Sequence, residues 1–221
     1  IAQGAKWVEE SGALKEVSAI FGMHNKPDLP VGTIGIREGG LMASADRFEL
    51  EIHGVGGHAG IPDSTIDPIV ISSQIITGLQ TIISRNTSPF HNAVISVTQI
   101  HGGEALNVIP DDAVLRGTIR SFKPDVQVVV EQSIKRICSG IESMFGVNIG
   151  IAFDQRYPPT VNSQDATEAC QEVAASIVGE QRVRRHELPS MGAEDFAYML
   201  MAKPGCYAFI SNGDGAHREM G

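Results

Sequence analysis

No basic run occurs anywhere in the sequence and the formal net charge is −9, which excludes a nucleic-acid surface. The one tight basic group, Arg182, Arg184 and Arg185, reads as the solvated end of a helix. No apolar stretch approaches the roughly 20 residues that cross a bilayer. No signal peptide is visible, and no membrane partner is expected. Cysteine is scarce: Cys138, Cys170 and Cys206 are widely spaced, odd in number and form no CxxC pair. That usage points to reduced, mostly buried thiols and a cytoplasmic location. There is no GxSxG elbow for a serine nucleophile, no internal repeat and no low-complexity segment. A starting Met is also missing. With Ile1 at one end and a Gly-rich polar stretch at Gly221, either end reads as the cut edge of something longer.

What is present suffices for a globular protein. The 221 residues are 42% hydrophobic and 19% charged, enough to bury a core in one large domain or two smaller ones. The most informative stretch is Asp46 to Pro62, DRFELEIHGVGGHAGIP. Phe48, Leu50 and Ile52 alternate with Glu49, Glu51 and His53, the period of a strand with one buried face. The strand runs into Gly54, Gly56 and Gly57, which leave the backbone free for positive φ or a close approach. His58 follows, titratable near neutral pH and placed on a turn. Local chemistry leaves two readings of His58 open: a solvated turn residue, or an exposed and aimed functional imidazole.

Taken in order, Ala2 to about Leu14 reads as a helix and Val17 to Met23 as a buried strand ending on His24. A His at such a strand end is where open α/β sheets place ligand-binding groups. Residues 31–43 form a Gly-rich connection. Then come a strand Arg47–Ile52, a helix Asp67–Ser84, strands Ala93–Ile100 and Ala113–Phe122, a helix Asp125–Phe145 and a strand Val147–Asp154. The inner stripes are expected at Ile69, Ser72, Ser73, Ile76, Leu79 and Ile83, and at Val129, Ser133, Ile137, Ile141 and Met144. This β-α-β-β-α-β order is that of a ferredoxin-like sandwich. A helix Asp165–Val178 follows (Ala169, Val173, Ala174 and Ile177 inward), then a helix Asp195–Met201 and a strand Gly205–Ser211. Alternating strand and helix belong to an α/β domain. The expected organisation is therefore an α/β domain in two parts, 1–43 and 157–221, around an inserted ferredoxin-like domain, 44–156.

Five stretches occur in order: FGMHN, GGHAGIPDSTIDPI, IHGGEALNVIPDDAVLRGTIRSF, YPPTVN and SMGAEDFAYM. Together they resemble the metal-dependent aminoacylase and carboxypeptidase family, in the branch of hippurate hydrolase, indole-acetyl-amino-acid hydrolase and N-acetyl-diaminopimelate deacetylase. The resemblance covers essentially the whole chain. It implies a metallopeptidase domain interrupted by a ferredoxin-like lid through which a homodimer forms. It implies a divalent metal, Zn or Mn, with Co or Ni also compatible. His24 matches one ligand of the metal set. The matching Cys-His and paired-Glu motifs would lie upstream of Ile1 and a last His downstream of Gly221, so the chain as given is expected to be nearly inert. His58 matches a residue that reaches into the partner's active site to stabilise the tetrahedral intermediate. Asn107 matches a residue that orients substrate, and Arg120 the guanidinium that clasps the substrate carboxylate. The loop 190–195 matches a pocket wall with Gly192 in it. Glu194 is assigned a structural or supporting role beside the alternative that Glu194 and Asp195 cap a helix.

The function so implied is a metal-dependent amidohydrolase acting on N-acyl amino acids. Two alternatives stand beside it: a metallo-dipeptidase or carboxypeptidase of the same family, and a non-catalytic dimerisation or binding module derived from such an enzyme. His53, His91, His101, His186 and His217 are read as non-functional, and Cys138 as a buried thiol without a catalytic part.

Overall fold

A computed structural model describes residues 4–27 and 29–213. Contacts divide the chain into two compact units, residues 1–44 with 157–221, and residues 45–156. Within the first unit, α1 (Gly4–Glu10) precedes β1 (Ile20–Lys26), β2 (Ile34–Gly35) and β3 (Gly39–Met42). The second unit contains β4 (Ala45–His53), β5 (Gly57–His58), α2 (Pro68–Thr81), β6 (Ala93–His101), β7 (Val108–Ile109), β8 (Asp112–Ser121), α3 (Pro124–Phe145) and all but the last residue of β9 (Asn148–Tyr157). The chain then returns through β10 (Thr160–Asn162), α4 (Gln164–Val178), β11 (Val183–Arg184), α5 (Phe196–Ala202) and β12 (Gly205–Ser211).

The second unit is a four-stranded sheet in the order β6-β8-β4-β9, with α2 and α3 packed against it. Alternation in β4 places Phe48, Leu50 and Ile52 on the helix side, each 2% exposed or less. They meet Ile71, Ile75, Leu79 and Ile82 from α2 and its last turn, and Val126, Val130, Ile134 and Cys138 from α3. Each large aliphatic side chain buried this way contributes about 1.5–3 kcal/mol. The helix stripes differ from those expected. Ile69 and Val129 are 44% and 41% exposed, and Met144 is 74% exposed. The apolar residues of both helices outnumber the buried face, so periodicity alone admits a stripe one position off. Asp67 starts α2: its side chain accepts from Ile69 N at 2.8 Å and Val70 N at 3.4 Å, with Pro68 at the first position.

In the first unit the sheet order is β1-β12-β2-β11. β1 and β12 run parallel, with Gly22 beside Tyr207 and His24 beside Phe209. One face packs on α4 through Cys206, Ala208, Ile36 and Ala174. The other, carrying Tyr207 and Phe209, meets Leu41, Met42, Phe196 and Leu200. Here too α4 differs from expectation: Val173 and Ile177 are exposed, and Ala166, Thr167, Gln171 and Ala174 are buried. The Gly-rich connection holds two short strands that the sequence does not announce, β2 and β3, paired to β12 and β10. Among the described residues no helix is long and apolar enough to cross a membrane.

Replacing the α2 cap should read out in the second unit. Asp67→Ala is expected to lower the free energy of hydrogen exchange at the slowest amides of α2 by about 1 kcal/mol, with Asp67→Asn close to wild type.

Candidate active site

His24 is not the last residue of its strand, as the sequence suggested. β1 continues two residues further to Lys26, whose Nζ bonds the buried Glu187 Oε1 at 2.9 Å and pins the strand end. The strand's alternation puts Gly22 and His24 on the side of Tyr207 and Phe209. A side chain at position 22 would have its Cβ 2.7 Å from Tyr207 Cε2 and 3.1 Å from Phe196 Cε2, so only glycine leaves room for that ring. Tyr207 stacks on Phe196 with centroids 4.8 Å apart. It donates its hydroxyl to Glu194 Oε2 at 2.9 Å. The same Oε2 stands 3.1 Å from His24 Nδ1, while Glu194 Oε1 accepts from Asp195 N at 3.1 Å. An ionised carboxylate only accepts, so in the neutral ring His24 Nδ1 is the donor and Nε2 keeps a lone pair. Among the described residues Nε2 has no partner, and the ring is about half exposed.

The loop before α5 does not cap that helix with a side chain. Asp195 instead accepts from Ala5 N, in the first turn of α1, at 3.0 Å. Gly192 donates its N–H to Ser190 Oγ at 3.1 Å and its carbonyl accepts from Ala43 N at 3.0 Å. Both its backbone groups are engaged within the unit. Tyr207 and the joint role of Glu194 are what sequence reasoning missed. The signal was Gly22 in FGMHN, a small residue whose purpose appears only once Tyr207 is its neighbour.

In the second unit β5 and β7 form a two-stranded ribbon, with Gly57 opposite Ile109 and His58 opposite Val108. Ala59 N donates to the Asn107 carbonyl at 3.0 Å, so His58 and Asn107 stand together on one exposed projection. Gly54, Gly56 and Gly57 are absent from the positive-φ glycines. Close approach is the reason for Gly56, since a Cβ there would lie 2.7 Å from the Ile109 carbonyl oxygen. His58 Nδ1 accepts from Gly60 N at 3.0 Å, which leaves the proton of the neutral ring on Nε2. Arg120 is not part of that projection. It lies eight residues along β8 from Asp112, about 27 Å at the antiparallel rise. Its side chain points to the sheet face opposite the buried Ile119. Burial lowers its pKa from the ordinary arginine value, opposed by the charge of Asp46 and assisted by that of Arg47. His53 pairs with Asp112 at 2.7 Å. Burial, with Glu142 adding to it, pushes the Cys138 thiol up to about 11. His217 lies outside the described residues.

The sequence matches the peptidase family M20/M25/M40 over residues 1–220. The chain belongs to that family. It is 47% identical over 210 residues to N-acetylcysteine deacetylase of Bacillus subtilis, covering 95% of this chain and 54% of the relative. It is 37% identical over 215 residues to IAA-amino acid hydrolase ILR1-like 2 of Arabidopsis thaliana, covering 96% and 48%. A Bacillus subtilis structure of the M20 family, named a dinuclear metal-binding peptidase, aligns with a TM-score of 0.76 at 40% identity, over 94% of this chain and 51% of that one. A structure from methicillin-resistant Staphylococcus aureus reaches 0.88 at 29% identity, over 100% and 56%. The chain thus spans about half the length of the relatives it matches. A dinuclear relative implies a divalent metal for the family. His24 fits one ligand of such a site, because its Nε2 is bare and its Nδ1 is held by a carboxylate. Among the described residues no group of three or more His, Cys, Asp or Glu could hold the ion.

Burial, and then the charge of Glu194, raise the Tyr207 pKa above the ordinary tyrosine range. In an ultraviolet titration of the three tyrosines, Tyr207 is expected to ionise last, and Glu194→Gln to bring it part of the way down. A phenol whose folded pKa is raised contributes stability below the unfolded value near 10 and loses it as the pH rises further. The first unit should therefore weaken in alkali above about pH 10.

Proposed function

We propose that the whole protein is a metal-dependent amidohydrolase that removes the acyl group from N-acyl amino acids, working as a cytoplasmic homodimer. The observation that carries this reading is the separation, within one unit, of His58 and Asn107 from Arg120. A β8 of about 27 Å between them is far longer than an N-acyl amino acid. One copy's second unit cannot bring all three to one substrate. Two copies can, one offering His58 and Asn107 and the other Arg120. The exposed apolar side chains Leu106 and Val108 flank Asn107 and suit insertion against a second copy better than permanent contact with water.

The residues then take these parts. Arg120 clasps the free carboxylate of the amino acid in bidentate fashion. The Asn107 carboxamide orients the substrate. His58 donates from Nε2–H to the oxygen that becomes negative as the amide carbonyl turns tetrahedral. Gly192 and its loop supply a wall. His24 holds one position on the metal, Zn or Mn, with Co or Ni as alternatives. Bound there, such an ion supplies activated water and polarises the amide carbonyl. Residues 1–43 and 157–221 are assigned to the catalytic domain, and 44–156 to a ferredoxin-like lid that makes the dimer. The three free thiols suit a reducing compartment. A second reading, a dimerisation or binding module without turnover, is favoured by the lack, among the described residues, of any group of three or more His, Cys, Asp or Glu that could hold a metal.

With Zn or Mn added, the 221 residues alone are expected to release no amino acid from hippurate or N-acetyl amino acids. A polypeptide of the relatives' full length that embeds them should do so in a metal-dependent way. Turnover by the chain alone would sink the assignment of His24 as its one ligand, and inertness of the long form would favour the binding module. The trans role of His58 has its own check in the full-length protein. Mixing His58→Ala subunits with His24→Ala subunits should restore about a quarter of wild-type turnover by statistical assortment into hybrid dimers. No restoration with hybrids verified would place His58 in cis or outside the chemistry.

A further inference from the structure

The carboxylate of Glu194 does more than pair with a neighbouring imidazole. It is mostly buried, with its side chain 18% exposed, and it accepts three hydrogen bonds: from Tyr207 Oη, from His24 Nδ1 and from Asp195 N. Each donor sits on a different fixed support. Tyr207 is held by its stack on Phe196 and by the two bonds its backbone makes with the Asn162 side chain, at 2.7 and 2.9 Å. Asp195 opens α5 and is tied to α1 through Ala5 N. His24 stands on a strand whose register with β12 is fixed from Ile20 to Lys26. The carboxylate is therefore placed before His24 meets it, and the imidazole is the member with freedom left to lose.

We propose that Glu194, backed by the Tyr207 hydroxyl, is a positioning residue for His24 that fixes its ring as the Nδ1–H tautomer with Nε2 bare and presented outward. The choice has a chemical consequence because a free neutral imidazole prefers the proton on Nε2, the form with nothing to offer a metal at that atom. Holding the proton on Nδ1 removes that competing form and the rotational freedom of the ring at once. Tyr207 strengthens the effect from behind. Its hydroxyl takes one lone pair of Oε2 and keeps the carboxylate turned toward His24 rather than toward solvent. Gly22 belongs to the same device, since it makes the space the Tyr207 ring occupies.

The purpose of this arrangement rests on reading His24 as a metal ligand, but the tautomer does not, and it is measured in the metal-free chain. Nitrogen-15 labelling of the histidines and long-range proton–nitrogen correlation, at a pH where the imidazoles are neutral, reports each ring's tautomer. The His24 signal is assigned by its loss in His24→Asn. The wild-type chain should show His24 with the proton on Nδ1. Glu194→Ala should move it to the Nε2–H form of free imidazole. Tyr207→Phe, which keeps the ring stack and removes only the hydroxyl, should give a mixture. A wild-type His24 in the Nε2–H form, or a tautomer unmoved by Glu194→Ala, overturns the proposal. Failure of the hydrolase reading would appear instead as an inert full-length protein whose His24 still carries its proton on Nδ1. In an active full-length protein, Glu194→Ala should also weaken metal binding by about 10- to 100-fold.

Discussion

The parallel pairing of β1 with β12 is what the rest of the first unit depends on. Its register sets Gly22 beside Tyr207 and His24 beside Phe209, on one face of the sheet. Slipping that pairing by one residue would turn His24 to the α4 face, where Cys206 and Ala208 pack, and would drive the Tyr207 ring into a side chain at position 21 or 23. The register is itself held at both ends. Ile20 N bonds the Pro204 carbonyl at 3.0 Å, and Lys26 reaches the buried Glu187 while its ammonium sits 4.6 Å from the Phe209 ring centroid. Truncating Lys26 would leave a buried carboxylate with only Arg184, 3.8 Å away, among the described residues, which is a costlier loss than the ion pair's own worth.

In the second unit one strand acts as a ruler. β8 begins beside the ribbon that carries His58 and Asn107 and ends near Arg120. The alternation that buries Ala113, Leu115 and Ile119 fixes Arg120 on the opposite face, so neither its distance nor its direction can adjust to meet His58. Under the proposed function, a rigid sheet that keeps His58 and Arg120 this far apart has each of them serve a different substrate. That is the physical content of the shared active site proposed between two copies.

Much of this was legible in the sequence, and the gaps have common causes. The strands of the second unit read clearly because one of their faces is buried, which imposes a strict period of two on Phe48, Leu50 and Ile52. The motifs FGMHN and SMGAEDF were legible as well, and with them the family. The helix faces were not. α2 and α4 carry exposed Ile69, Val70, Val173 and Ile177 beside their buried rows, and an apolar residue on the outside looks the same in sequence as one on the inside. The short strands β2, β3, β5, β7, β10 and β11 were missed because two to four residues show no period. The partnership of Glu194 with Tyr207 and His24 joins positions 13 and 170 residues apart, so no local window contains it.

The two histidines that the sequence singled out are held in opposite proton arrangements by elementary means. A carboxylate facing Nδ1 makes His24 a donor there and leaves Nε2 with a lone pair. A backbone N–H facing Nδ1 makes His58 an acceptor there and leaves Nε2 with a proton. The same side chain thereby offers opposite groups at Nε2, a lone pair in one unit and an N–H donor in the other. Neither arrangement needs a charged imidazole. Exchanging the two environments would disable both residues while leaving every residue type in place. In the proposed function, what faces each Nδ1 therefore counts as much as the histidines themselves.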